Sequence, residues 1–316
     1  MTQLKPIPSP SSILRSTSAT TPVDILLLGA GWTYQFLLPL LEQQGITYAA
    51  TTRDGHDDTI PFQFDPDSSE IEPYERLPPA TTVLITFPLK GEGQSKLLTD
   101  LYERSHEEVG STCRYIQLGS TGIFTEKGWN DSESAYDKSN ARAVAEDELL
   151  LLRGDRACVL NLAGLYGGER QPRNWITRVA RTKGEVRGKG ALHLVHGRDV
   201  ARAVVGVVEM FAGVGGRRWI VTDLFVYDWW ELIFCWGRYA RGCAGGKGGQ
   251  KAVGKGTGGA AGEEVDELQF EKWVVELMQE EGVRALPRDK DGLGRVLDGR
   301  SFWSAVGAAP GEGRVS

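Results

Sequence analysis

The sequence predicts an α/β protein in which helices cover both faces of a parallel sheet. From residue 23 to residue 162, short apolar segments of strand length alternate with helical patterns. The first segment, VDILLL, is almost continuously apolar, which is typical of a central parallel strand buried on both faces. Residues 140–152 instead place their apolar side chains on one helical face. This alternation indicates βαβ units and a doubly wound sheet.

The individual elements follow from the same patterns. Strands are predicted at residues 23–28, 47–52, 61–64, 82–87, 114–119, 157–162 and 218–222. Helices are predicted from the turn after the first strand to about residue 43, and at 93–105, 140–152, 174–182, 198–211, 227–239 and 265–282. The sequence thus divides into a sheet-forming domain, residues 23–223, and a mainly helical C-terminal region, residues 224–316.

Two segments are predicted to be disordered. Residues 1–22 are rich in Ser, Thr and Pro and form an N-terminal tail, with a targeting segment as the alternative. Residues 239–262 carry ten glycines and four basic residues but no acid, so they bury too little apolar surface to order themselves.

Composition excludes several classes of protein. The net charge of −6 argues against a nucleic-acid platform, which is normally basic, and no apolar run reaches the length of a membrane span. The four cysteines form no CxxC pair, which favours reduced thiols in a cytoplasmic protein. His193 and His196 lack further ligands nearby, so no metal site is predicted.

The stretch DILLLGAGW predicts a nucleotide-binding turn of the Rossmann type. A strand, a glycine turn and a helix N-terminus direct backbone N–H groups at a pyrophosphate. Gly29 allows the turn and Gly31 allows the phosphates to approach the backbone. The third glycine of the motif is replaced by Tyr34, which must either widen the helix–strand packing or point over the cofactor. Trp32, Thr33, Phe87 and Pro88 complete the predicted cofactor-contacting residues of this region.

The end of the second strand predicts the cofactor. Arg53 stands where an arginine suits the 2′-phosphate of NADP, whereas an acid would bind the ribose of NAD. Thr52 offers an additional hydroxyl contact. Asp54 follows directly, so NAD is the less favoured alternative, and a solvated Arg-Asp loop is the other.

Seven motifs occur in an order that resembles a known superfamily. They are LLLGAGW, ATTRD, VLITFPL, YIQLGSTGIF, ARAVAEDELL, LNLAGLYGGER and HLVHGRDVARAV. Residues 23–223 thereby resemble the short-chain dehydrogenase/reductase superfamily, in its extended or atypical branch of NAD(P)-dependent epimerase/dehydratase-like proteins. The C-terminal segment GRSFWSAVGAAP stands where that family has elements that cover the substrate.

The resemblance implies candidate catalytic residues. The family uses a Ser or Thr after strand five and a YxxxK pair on the next helix. Ser120 matches the serine, with Thr121 beside it, while Lys138 stands at the tyrosine position and Arg142 at the lysine position. Tyr136 lies two residues upstream, from where it would have to swing in from the loop. The alternative for Arg142 is an i,i+4 ion pair with Glu146.

The resemblance also implies substrate contacts. Tyr166 and Arg170 follow strand six, where the family shapes its substrate cleft, although the glycines there could simply form a turn. His196 and Asp199 match a family H-x-x-D that opens a helix, and Asp199 is predicted to be its N-cap. The tryptophans of residues 229–236 are predicted to be core or lid residues.

These observations favour an NADP-dependent oxidoreductase that acts on a carbonyl or hydroxyl group of a small molecule. The alternatives are a sugar-nucleotide epimerase or dehydratase, for which no second nucleotide site is visible, and a regulator that binds NADP(H) without chemistry. A homodimer is the expected assembly, and no nucleic-acid or membrane partner is expected.

Overall fold

The computed structural model describes residues 15–244 and 267–315. Its strands are β1 (Val23–Leu28), β2 (Tyr48–Thr52), β3 (Ile60–Pro61), β4 (Ala80–Ile85), β5 (Arg114–Ser120), β6 (Gly128–Asn130), β7 (Ala157–Leu162), β8 (Gly164–Tyr166), β9 (Ala191–Leu192), β10 (Leu194–His196), β11 (Arg217–Val221), β12 (Tyr227–Asp228) and β13 (Arg295–Leu297). Seven of them form one parallel sheet in the order β11-β7-β5-β4-β1-β2-β3.

The helices surround this sheet and continue into the C-terminal region. They are α1 (Tyr34–Gln44), α2 (Glu72–Glu75), α3 (Gln94–Ser105), α4 (Glu107–Gly110), α5 (Ala141–Arg153), α6 (Ile176–Val179), α7 (Lys183–Arg187), α8 (Gly197–Glu209), α9 (Phe211–Val214), α10 (Trp229–Ala244), α11 (Glu267–Glu280) and α12 (Arg300–Ala305).

Strand β1 shows why the sheet is covered on both faces. Ile25 and Leu27 join a core cluster with residues of α1, α8 and α12. Leu26 and Leu28 point to the opposite face and join a cluster with α3 and α5. Successive side chains of a strand alternate between the two faces of the sheet. A strand that is apolar at every position therefore packs against helices on both faces. The predicted doubly wound α/β fold is confirmed.

One predicted helix is wrong in its extent. Residues 174–182 were predicted as a single helix, but Pro172–Trp175 is a 3₁₀ turn and α6 ends at Val179. Thr182 then begins α7, because its side chain accepts a hydrogen bond from the N–H of Glu185. A new N-cap so close to the preceding helix divides the segment.

The C-terminal elements form their own core beside the sheet. Three strand pairs, β8–β10, β9–β12 and β6–β13, accompany α10 and α11. The buried side chains here include Trp229, Trp230 and Trp236, which confirms their predicted core position.

The two segments predicted to be disordered lie partly outside the described residues. Helix α10 continues to Ala244, so the beginning of the segment 239–262 is helical. At the N-terminus, Ser16 donates its N–H to the carbonyl of Tyr48 over 2.8 Å, and Arg15 forms a parallel bridge with Tyr48. Residues 15 and 16 are therefore ordered beside β2, while residues 1–14 and 245–266 are not described.

The strand order places a crevice at the carboxyl edge of the sheet. From β1 the chain proceeds to β2 and β3 on one side, then returns to β4, β5 and β7 on the other. Ligands of open α/β sheets bind at such a switch point, outside the carboxyl ends of the strands. The residues that follow β1, β2, β4, β5 and β7 therefore meet at this edge.

Candidate functional site

The turn after β1 brings the backbone close to β4. Gly29 has a φ of 97°, a region that residues with a Cβ rarely adopt. A Cβ on Gly29 would lie 2.6 Å from Oγ1 of Thr86, whose hydroxyl donates to the carbonyls of Leu28 and Gly29. The position of a Cβ on Gly31 has no atom within 4 Å. The first glycine is thus required by packing, and the second faces open space.

The backbone donors of this turn fall into two groups. The N–H of Gly29 and that of Ala30 are both bound to Thr51 of β2. The N–H groups of Gly31 and Trp32 have no acceptor among the hydrogen bonds of the described residues, and they stand at the start of the eleven-residue helix α1. Unpaired amides at a helix N-terminus attract anions. The turn therefore fits a dinucleotide pyrophosphate.

Tyr34 packs inward, so the option that it points over the cofactor is wrong. Its ring centroid lies 6.5 Å from that of Tyr48 on β2, and the ring packs against the α1–α8 core cluster. Its hydroxyl is buried, and burial raises the pKa of Tyr34. The substitution of the third glycine changes the packing of α1 and leaves the face of the turn open.

In the loop after β2, the polar side chains around Arg53 bind one another and leave Arg53 without a described partner. Arg53 is exposed, and its guanidinium has no described hydrogen-bond or ion-pair partner. Oδ1 of Asp54 lies 2.6 Å from Nδ1 of His56. The Thr52 hydroxyl lies 2.6 Å from that of Thr59, and it also accepts the N–H of Gly55. Thr52 is thus engaged within the loop, and its cofactor contact stays a prediction, whereas Arg53 is available.

Ser120 ends β5 and shapes the turn that follows it. Its side chain accepts the N–H of Gly122 over 3.1 Å and caps the 3₁₀ turn Thr121–Ile123. The Thr121 hydroxyl is buried and donates to the carbonyl of Leu162 over 3.3 Å. Of the two predicted hydroxyls, the half-buried Ser120 is the one that a substrate can reach.

Arg295 of β13 holds this turn and was missed by the sequence analysis. Its Nη1 donates to the carbonyls of Thr121 and Phe124, over 2.7 and 2.9 Å. The contact joins residues that are 174 positions apart, so no local sequence pattern could have indicated it.

Tyr136 belongs to a partly buried polar network. Its hydroxyl donates to Oδ1 of Asp147 over 2.8 Å, and its ring lies 4.1 Å from the guanidinium carbon of Arg218. Burial raises the pKa of Tyr136. The hydroxyl is engaged in the structure, which disfavours the predicted swing of Tyr136 toward the substrate.

The expected pair between Arg142 and Glu146 is replaced by a different ion pair. Glu146 is buried and accepts Arg218 and Asn161, both over 2.8 Å, so the i,i+4 alternative for Arg142 is wrong. Burial raises the pKa of Glu146. Arg142 has no side-chain partner in the described part of the chain and lines a narrow crevice with Pro88 and Gly119.

The other residues near this crevice differ in what they can contribute. Lys138 is exposed just before α5, with no described partner. Phe87 stacks on Phe64 with the ring centroids 6.0 Å apart, and its carbonyl accepts the amide of Gln117. The structure thus brings Pro88 and Arg142 together beside the strand that ends in Ser120, and it leaves Lys138 in solvent.

Tyr166 and His196 come together on the paired strands β8 and β10. Their ring centroids are 4.9 Å apart, and the Tyr166 hydroxyl donates to the carbonyl of Gly313 over 3.4 Å. Burial lowers the pKa of His196, which favours its neutral form. The neutral ring accepts the N–H of Arg198 at Nδ1 and thereby caps α8.

Asp199 is not the N-cap that the sequence analysis predicted. His196 takes that position, and the fully buried Asp199 carboxylate accepts Nη1 of Arg202 over 2.6 Å and the N–H of Gly311 over 2.7 Å. Asp199 therefore fixes the C-terminal segment against α8.

Neither a metal-binding group of side chains nor a membrane-spanning helix occurs in the described part of the chain. No three His, Cys, Asp or Glu side chains in residues 15–244 and 267–315 are grouped so that they could hold a metal ion. In the same ranges, no helix combines the length and the apolar character that a bilayer crossing requires.

Sequence comparisons give no match, whereas solved structures match over most of the chain. Neither a protein-family model nor a curated protein sequence matches. The dTDP-glucose 4,6-dehydratase of Bacillus anthracis in complex with NAD is 12% identical, with a TM-score of 0.51 and 91% of each chain covered. The UDP-N-acetylglucosamine 4-epimerase of Bacillus cereus is 15% identical, with a TM-score of 0.51, covering 83% of this chain and 100% of its own.

The UDP-glucose 4-epimerase of Thermus thermophilus in complex with NAD is similar to the same degree. It is 16% identical, with a TM-score of 0.51, and the match covers 92% of this chain and 95% of the epimerase. At such low identity the match establishes the fold. The protein therefore shares the α/β fold of these enzymes.

Proposed function

We propose that the protein is an NADP(H)-dependent oxidoreductase that acts on a carbonyl or hydroxyl group of a small molecule. The observation that carries the proposal is the turn after β1, at the switch point of the sheet, where the N–H groups of Gly31 and Trp32 have no acceptor among the described residues. Arg53 follows β2 and Ser120 ends β5, and both strands end at this edge of the sheet. Calorimetric titration with NADP(H) and NAD(H) tests the proposal, and it fails if neither cofactor binds at millimolar concentration.

The chain's own residues have distinct roles in this proposal. When bound, the nicotinamide cofactor supplies or accepts hydride. The turn amides bind the pyrophosphate, and Arg142, a cation beside Pro88, contacts the nicotinamide ribose. The Ser120 hydroxyl orients the substrate oxygen, and Arg295 keeps the Ser120 turn in place. Tyr166 and His196 line the substrate side.

Arg53 is expected to set the cofactor preference. Arg53→Ala should reduce the preference for NADP(H) over NAD(H) by about ten- to a hundredfold, because a charge-assisted bidentate pair with the 2′-phosphate is worth roughly 1.5–3 kcal/mol. Titration of both cofactors measures the ratio. Arg76→Ala, which removes an exposed arginine from another loop, is the control and should leave it unchanged. An unchanged ratio in Arg53→Ala would reject the NADP assignment.

Ser120 is expected to matter for turnover. Ser120→Ala should reduce kcat/KM by on the order of 10², the effect of a positioned polar group at the reacting centre. Thr125→Ala, which removes an exposed hydroxyl from the same loop, is the matched control. Steady-state kinetics on a carbonyl substrate measures both variants, and equal activity of Ser120→Ala and the unmodified protein would contradict the role.

A second function, a regulator that binds NADP(H) without chemistry, is favoured by one observation. The Tyr136 hydroxyl is bound to Asp147 and Lys138 is in solvent, so neither supplies an evident proton donor near Ser120. Tight cofactor binding without turnover on a broad carbonyl panel would favour the regulator.

Sugar-nucleotide epimerase or dehydratase chemistry is the third candidate. The similar solved structures include enzymes whose names state that activity. Conversion of a UDP-sugar without net consumption of cofactor would favour it. The cytoplasmic location and the homodimer stay predictions.

A further inference from the structure

The loop after β8 packs directly on the proposed pyrophosphate turn. Gly167 and Arg170 exchange two backbone hydrogen bonds, of 2.9 and 3.1 Å, which close a tight turn at residues 167–170. Trp32, the residue after Gly31, donates its indole Nε1–H to the carbonyl of Gly167 over 3.2 Å. The guanidinium carbon of Arg170 lies 4.4 Å from the centroid of the Trp32 ring. Trp32 therefore contacts both the Gly167 carbonyl and the Arg170 guanidinium of this loop.

Close contacts fix the position of the 167–170 turn. Gly167 has a φ of 114°, and a Cβ there would lie 2.3 Å from Nε2 of His196. Gly168 has a φ of 57°, and its Cβ position is 3.2 Å from Oε1 of Gln35, in the first turn of α1. Two glycines with positive φ thus let the loop approach the N-terminal end of α1, where no side chain would fit without displacement.

The charge of Arg170 has no counterion among the described residues. The side chain is exposed, and its one described contact is the Trp32 ring. A cation stacked on an aromatic face keeps its N–H groups free at the edge of the guanidinium plane. Here that plane is next to Trp32, whose backbone N–H has no acceptor in the described part of the chain. Arginine binds phosphate oxygens bidentately, so the arrangement suits a phosphate group placed on the turn.

We propose that Arg170 binds the pyrophosphate of the dinucleotide cofactor, with Trp32 as its support, instead of contacting the substrate. The proposal rests on the proposed function, because it needs a dinucleotide at the β1–α1 turn. Tyr34 replaces the third glycine and packs inward, and Arg170 adds a cation to a turn that otherwise offers backbone donors. The ligand group it recognises is common to NAD(H) and NADP(H).

Calorimetric titration of Arg170→Ala with both cofactors tests the proposal. The dissociation constants of NADP(H) and NAD(H) should rise by the same factor, about tenfold or more, and their ratio should stay unchanged. This pattern is opposite to that of Arg53→Ala, which should change the ratio. Inorganic pyrophosphate should compete with NADP(H) in the unmodified protein and more weakly in Arg170→Ala.

Arg173→Ala is the matched control, because Arg173 is an exposed arginine three positions along the same loop. Arg173→Ala should leave both dissociation constants unchanged. If it weakens cofactor binding as much as Arg170→Ala does, the effect comes from net charge alone and the proposal is overturned. Unchanged cofactor binding in Arg170→Ala, or a change for NADP(H) alone, would also overturn it. Absence of dinucleotide binding to the unmodified protein would instead reject the proposed function, and with it the inference.

Discussion

Replacing Arg218 with methionine is expected to lower the free energy of unfolding by about 3–5 kcal/mol, the cost of leaving a buried charge without its partner. Arg218 is buried and donates to the buried carboxylate of Glu146 and to Asp147. Without the guanidinium, Glu146 keeps only the amide of Asn161 as a described partner. Chemical denaturation of both proteins measures the difference.

Two further measurements distinguish the loss of the ion pair from a loss of packing: the pH dependence of the stability difference and the stability of a double variant. Burial already raises the pKa of Glu146, and removing Arg218 raises it further. The loss should therefore shrink as the pH falls and Glu146 becomes neutral. The double variant Arg218→Met with Glu146→Leu should recover most of the stability, since apolar replacements of buried pairs are often neutral. A double variant no more stable than the single one would contradict this account.

Gly29→Ala is expected to destabilise the protein and to weaken cofactor binding. A Cβ at a φ of 97° costs about 1–3 kcal/mol in backbone strain. It would also displace the Thr86 hydroxyl, whose single proton lies between two carbonyls in a hydrogen bond worth about 1 kcal/mol. Thermal or chemical denaturation measures the first effect, and titration with NADP(H) measures the second.

Gly31→Ala is the matched control, because the two glycines have opposite surroundings. The Cβ position of Gly31 is empty of atoms within 4 Å, and its φ is not positive. The free energy of unfolding should change by less than about 1 kcal/mol, whereas cofactor affinity should fall because the methyl group occupies the approach of the phosphates. If Gly31→Ala binds NADP(H) as well as the unmodified protein does, the turn is not the pyrophosphate site.

The predicted fold follows from local patterns that the structure preserves. The apolar run of β1 and the apolar face of α5 indicate which surfaces must be buried. Burial of these surfaces drives the packing of two helical layers on one sheet. Most strands therefore lie within two residues of their predicted bounds. The prediction of one helix over residues 174–182 is wrong because Thr182 caps a second helix there. Hydrophobic periodicity gives no information about such a cap.

The sequence by itself determined the sheet, the position of the glycine turn and the residues that follow each strand, because each depends on neighbours within a few residues. Only the tertiary structure decided which side chains are engaged. Tyr136 is bound to Asp147, Glu146 is paired with Arg218 of a distant strand, and Arg295 supports the Ser120 turn from 174 residues away. A buried polar group takes whichever partner the fold brings within hydrogen-bond distance, and that distance is set by the packing of whole elements.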